Sequence, residues 1–183
     1  MTGFTFNGYH SYRDFDLLVR YDNRGVLPSR KVVSYDLAQG NYGNYYYDTN
    51  SFDNRIITLS LYLVCNNMEE LRDKIRNISA WLSSSSSNII FDDEPDKQYI
   101  GFVKDQIEFK EGFNYGICEV EFVCQPLILS LDVCENNEKI NKNNKKISLE
   151  TIGSMGTKPI ITIFNKGDDI TALRLTLENR EDC

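Results

Sequence analysis

Residues 55–64 read RIITLSLYLV. Ile57, Leu59, Leu61 and Leu63 share one face at period two, and Ile56, Thr58, Ser60 and Tyr62 share the other. A run this long and regular reads as a central strand, so the chain must build a sheet around it. A second run agrees. In GICEVEFVC (116–124), Cys118, Val120, Phe122 and Cys124 form an inward set, while Glu119 and Glu121 face out. The abundance of Tyr, Phe and Ile, with little Ala, favours strand over helix throughout.

Further strands follow the same logic. FTFNGY (4–9) alternates Phe4 and Phe6 before Asn7-Gly8, a strong hairpin signal. DFDLLVR (14–20) sets Phe15, Leu17 and Val19 on one face. VLPSR (26–30) contains Pro28 and reads as a loop or edge segment. KVVSYDL (31–37), NIIF (88–91), KQYIGFV (97–103) and DQIEF (105–109) read as strands, and residues 39–44, with Gly40 and Gly43, as a loop.

One segment has a different period. In NNMEELRDKIRNISAWLSS, Leu71, Ile75, Ile78 and Leu82 fall on a single helical stripe. Asn67 followed by Glu70 reads as a capping-box start, and Glu69 and Glu70 suit the positive end of the helix dipole. Arg72 and Arg76 point away from the stripe, and the serines at 83–87 end the helix. The expected fold is therefore mainly β, sandwich- or barrel-like, with one α-helix.

The main domain is expected over 1–134. Residues 135–146 (ENNEKINKNNKK) are almost wholly polar and read as a linker or exposed loop. In 147–183, KPIITIF (158–164) and ITALRLTL (170–177) around NKGDD (165–169) suggest a short β-hairpin. A piece of roughly 37 residues is too small to fold unaided.

The chemistry is sparse. Lys and Arg number 20 against 27 Asp and Glu, a formal charge of −7 in 183 residues. That balance argues against a general nucleic-acid binder, whose affinity comes mostly from neutralising phosphates. No apolar run approaches the length of a membrane span, and the N-terminus lacks the pattern of a secretion signal. Synthesis in a cytoplasm is expected. The five cysteines, Cys65, Cys118, Cys124, Cys134 and Cys183, show no CxxC spacing. Three of them lie in strand-like runs and read as reduced core thiols.

The one histidine, His10, reads as a surface residue in a turn. No nucleophile elbow, phosphate loop, dinucleotide fingerprint or zinc-protease motif is present. The acidic run Asp92, Asp93, Glu94, Asp96 lacks calcium-loop spacing and is explained by a Pro-containing turn. No enzyme activity, metal or cofactor is expected. The cluster Tyr42, Tyr45, Tyr46 and Tyr47 is the most informative surface signal. It reads first as a subunit or partner interface, with a local aromatic cover over a sheet edge, or a sugar-binding platform, as the alternatives.

The order of motifs resembles the N-terminal domain of phage distal tail proteins, the siphovirus tail component family. FTFNGYHSYRDFDLLV (4–19) is similar to the family's opening, with Phe4, Phe6, Asn7, Gly8, Asp14 and Phe15 in place. Pro28-Ser29-Arg30 matches a Pro-x-Arg element, and RIITL an R-x-I-x-L strand. EELR (69–72) and AWL (80–82, with Trp81) match the family's helix. FDDEPDKQY (91–99) carries Phe91, Asp92, Asp93, Pro95 and Tyr99, and YGICEVEFVCQP (115–126) carries Gly116 and Pro126.

The resemblance implies a homo-hexameric ring at the tail tip of a phage or prophage-derived tail. Such a ring is a structural virion protein and baseplate hub, assembled in the bacterial host cytoplasm. It would join the tail tube protein to the tail-tip hub protein and to a receptor-binding protein. It would use no catalytic residues, sequence-specific nucleic acid or membrane insertion. The family's usual second, galectin-like domain is represented only by 147–183, and its P-G-R-D-G-type loop is replaced by AQGNYGNYY (38–46). A carbohydrate-binding β-sandwich for host attachment is the alternative function.

Overall fold

The structure, a computed structural model, describes residues 2–35, 45–140, 145–148, 153, 160–167 and 173–176. The chain divides into two units, Met1–Cys134 and Glu135–Cys183.

The first unit is organised by two long strands. Strand β6 (Arg55–Val64) pairs antiparallel with β10 (Tyr115–Cys124) along its whole length. The register sets Leu61 opposite Cys118, Leu59 opposite Val120 and Ile57 opposite Phe122. The apolar faces of both strands therefore coincide, and all six of these residues are buried.

The sheet extends from this pair in both directions. On one side β6 meets β3 (Leu18–Arg24), with an irregularity between Tyr21 and Asn23. On the other, the end of β10 meets β8 (Lys97–Val103). Strand β8 leads on to β7 (Ser87–Phe91), β1 (Phe4–Phe6) and β2 (Tyr9–His10). Two short strands join at the flanks: β9 (Lys110–Glu111) on β10 and β11 (Leu129–Ser130) on β8.

The residues before β1 meet β3 through side chains rather than a ladder. Thr2 Oγ1 donates to the Val19 carbonyl at 3.0 Å, and the Tyr21 hydroxyl to the Gly3 carbonyl at 2.5 Å. These bonds tie the start of the chain to β3, and the expectation of a mainly β, sandwich- or barrel-like fold holds.

Helix α2 (Met68–Leu82) packs by the predicted stripe, with Leu71, Ile78 and Leu82 buried and Ile75 partly so. The Asn67 side chain accepts the Glu70 amide at 2.8 Å. The reciprocal bond is displaced by one residue, since the Glu70 carboxylate accepts from the amide of Asn66 instead. Gly116 is fitted to the helix: a Cβ there would lie 3.3 Å from Leu71 Cδ1 and 3.2 Å from Phe109 Cδ1.

Three expectations need correction. Residues 11–15 form a short helix, α1 (Ser11–Phe15), where a strand from Asp14 was expected. A five-residue helix has too few turns to show a period, and a local cap decides it. DQIEF (105–109) is not a strand: the chain crosses the flank of β10, and Ile107 and Phe109 pack against the core without a ladder. Finally, a strand that was not expected, β5 (Tyr45–Phe52), pairs with β4 (Arg30–Tyr35), the strand read from Lys31, as a separate two-stranded hairpin.

In the second unit the described residues hold no strand. Of the hairpin expected over 158–177, Ile160 to Phe164 and Leu173 to Thr176 are irregular and exposed, Ile160 at 95%. The rest of that hairpin lies outside the described residues.

Candidate interaction surface

The residues carrying the distal-tail resemblance converge on one aromatic seam. Trp81 of α2 stacks on Phe4, with ring centroids 5.5 Å apart, and on Phe15 at 4.4 Å. Phe6 and Phe122 meet edge to face at 5.3 Å, as do Phe91 and Tyr99. The turn at Asn7-Gly8 has positive φ at both residues, 48° and 82°, the geometry that makes Asn-Gly suitable. The Asn7 side chain is held by Ser84 and Ser87.

His10 is not a plain surface residue. It caps α1, its Nδ1 accepting the amides of Tyr12 at 3.2 Å and Arg13 at 3.1 Å. Nδ1 therefore carries no proton, and Nε2–H donates to Asp92 Oδ1 at 3.0 Å. Asp14 completes the cap by accepting the His10 amide at 2.7 Å. Gly3 fits this corner closely: a Cβ would lie 2.9 Å from both Asp92 Oδ2 and His10 Cε1, and those side chains would have to shift. Ser11 is buried and its hydroxyl accepts the Phe4 amide. Ser11 thus binds the backbone of β1, and His10 ties the α1 cap to Asp92.

The acidic loop is likewise a set of structural acceptors. Arg24 grips Asp93 with two bonds, at 2.8 and 2.6 Å, and lies over the rings of Phe91 and Tyr21. This guanidinium holds the Asp93 carboxyl below its ordinary range. Glu94 accepts the Tyr99 hydroxyl at 3.0 Å; burial, with Glu94 beside it, pushes that phenol up to about 12. Pro95 occupies the first corner of the turn closed by Lys97 N–H donating to the Glu94 carbonyl. Among the described residues no three His, Cys, Asp or Glu side chains group as metal ligands. Cys65, Cys118 and Cys124 are buried free thiols and Cys134 an exposed one.

The outward feature is the hairpin. Among the described residues, β4 and β5 pair with each other and with no other strand. Tyr45, Tyr46 and Tyr47 open β5 opposite Tyr35, Ser34 and Val33. Tyr42 lies outside the described residues. At the hairpin's root, Asp53 N–H donates to the Ser29 carbonyl at 2.8 Å, and Arg30 lies over the Phe52 ring. The loop before it exposes Val26 at 93% and Leu27 at 74%, while Pro28 is buried.

Sequence reasoning missed Arg24 and Arg55, which bridge segments far apart in the chain. Arg24 stands in no motif, and Arg55 reads only as the first residue of the R-x-I-x-L strand.

The sequence profile of the phage tail protein RIFT-related domain matches residues 25–124, from the loop after β3 to the end of β10. The fold is similar to the crystal structure of the Dit protein (gp 19.1) of SPP1. That protein is described as a paradigm of the hub adsorption apparatus in phages infecting Gram-positive bacteria. The TM-score is 0.59, over 71% of this chain and 52% of the other, at 22% identity. This chain therefore spans about half the length of the SPP1 protein. No curated protein sequence matches it.

Proposed function

Because the chain belongs to the phage tail protein RIFT-related domain family, we propose that it is a structural hub protein of a phage or prophage-derived tail tip. In this reading six copies close into a ring that continues the tail tube and carries the baseplate or host-binding apparatus. Its neighbours are the tail tube protein on one side and a tail-tip hub protein, with a receptor-binding protein, on the other. It works by geometry and adhesion, without catalysis.

The observation that carries this proposal is the hairpin β4–β5. A two-stranded ribbon is marginal in water by itself. Among the described residues no other strand pairs with its outer edges, and such an edge is a hazard unless another chain covers it. A ring supplies such a cover head to tail, since each subunit can receive on one side what it offers on the other. The similarity to the SPP1 hub protein supports placing that ring at the tail tip.

The test is localisation. Gold-labelled antibody against this chain, applied to particles of the phage that encodes it, should decorate the tail end away from the capsid. Decoration of the capsid, or of no particle, would exclude the reading.

A further inference from the structure

Arg55 opens β6 and is only 5% exposed. One terminal nitrogen, Nη1, donates to the Gly25 carbonyl, and the other, Nη2, to the Pro126 carbonyl at 3.2 Å. Its guanidinium lies 5.9 Å from the centre of the Tyr99 ring. Among the described residues, its buried Nε meets no acceptor. A guanidinium so enclosed, with one donor unmet, is a costly way to fill space. What it does achieve is a bridge between chain segments that are remote in sequence.

The two carbonyls belong to segments whose apolar side chains are largely turned to solvent. Gly25 starts the loop into β4, whose Val26 and Leu27 project into solvent. Pro126 starts the segment leaving β10, where Leu127, Leu129 and Leu131 are all more than a third exposed. That segment is also held by Ile128, packed against the core, and by main-chain bonds: Gln125 N–H to the Ile100 carbonyl at 2.7 Å, Leu131 N–H to the Asp96 carbonyl at 3.0 Å and the brief pairing of β11. It continues to Glu135, where the second unit begins.

We propose that Arg55 is a positioning residue that couples the root of the β4–β5 hairpin to the segment leaving β10. The planar fork of arginine suits this task, because its two terminal nitrogens reach two carbonyls at a fixed separation. A displacement of residues 126–131 is transmitted to Gly25 through one rigid group, and the reverse displacement equally. On the tail-hub reading, the coupling makes engagement of the hairpin by a neighbour sensitive to what the chain does beyond Cys134. That consequence rests on the proposed function; the tie itself does not.

The test is hydrogen exchange, read by residue, on the dilute full chain and its Arg55→Met and Arg55→Lys variants. In Arg55→Met, exchange at Asp53 and at Gln125 and Leu131 should rise together by at least about tenfold, while the centres of β6 and β10 keep their protection. Arg55→Lys carries a point donor and should retain protection at no more than one of the two places.

A second substitution, Leu131→Pro, removes the bond to Asp96. It should raise exchange at Asp53 in the parent chain and leave it unchanged in the Arg55→Met background. Equal effects of Leu131→Pro in both backgrounds, or none in the parent, would overturn the coupling. If Arg55→Met does not fold, Arg55→Lys and the effect of Leu131→Pro on the parent still decide the matter. Failure of the chain to form rings would leave these local exchange rates unaltered, so the two proposals fail separately.

Discussion

The indole N–H of Trp81 donates to the main-chain carbonyl of Phe6 at 2.8 Å, across 75 residues of sequence. This bond pins the last turn of α2 to the second inward residue of β1, and the ring around it packs on Phe4, Phe6 and Phe15. Trp81→Ala should cost about 3–5 kcal/mol, the usual range for emptying an aromatic core site. Trp81→Phe keeps much of the packing and loses the bond, and should cost less. Urea denaturation of both variants measures this; wild-type stability in Trp81→Ala would mean that α2 is not docked as described.

Leu71, on the same helix, is fully buried against the sheet near Gly116. Leu71→Asp would place a carboxylate there without a partner, and should cost roughly 3 kcal/mol or more or prevent folding. Recovery of soluble protein with native circular dichroism and an unchanged melting temperature would contradict this.

The Arg24–Asp93 pair predicts a pH dependence. Because the folded-state pKa of Asp93 is lowered by Arg24, the pair's stabilisation is present above the ordinary carboxylate range. It is lost as pH falls through the folded value. The pair is partly open to solvent, so its contribution should be about 1 kcal/mol or less. Asp93→Asn should therefore lose less stability than the parent between about pH 5 and pH 3. Parallel stability curves for the two chains over that interval would refute the assignment.

His10 fixes the start of α1 through two backbone amides and reaches Asp92 from the same ring. His10→Ala should cost about 1 kcal/mol, in the range of lost N-caps. His10→Asn restores a capping oxygen but not the reach to Asp92, and should recover part of that loss. Chemical denaturation of the pair decides it: equal stability of Ala, Asn and parent would show that the cap is not made.

The parts legible in the sequence are those where burial imposes a period. RIITLSLYLV became β6 residue for residue, and the stripe Leu71, Ile75, Ile78, Leu82 became the docked face of α2. GICEVEFVC lies within β10 with its inward set buried as read. What escaped was set by single contacts. Helix α1 exists because Asp14 accepts the His10 amide while His10 Nδ1 accepts the amides of Tyr12 and Arg13, over too short a span for periodicity. DQIEF alternates like a strand, yet only Lys110 and Glu111 beyond it gain a place on β10. The motif residues Phe91, Asp92, Asp93 and Tyr99 were legible as a group. Their partners, Arg24 and His10, were not, because those contacts span 69 and 82 residues.

The tyrosines at the start of β5 carry the assembly hypothesis. Tyr45→Ala and Tyr46→Ala should weaken self-association or partner binding more than folding. Side-by-side light scattering and thermal melts measure both quantities. Unchanged assembly with a large fall in melting temperature would make these residues local cover instead.

The central claim is that copies of this chain close a ring, and its most direct test is the mass of the full chain at high protein concentration. Light scattering after size exclusion, with negative-stain images of the same peak, should give a hexamer seen as a closed six-fold ring. A two-fold dimer, or a monomer at every concentration reached, would contradict the account.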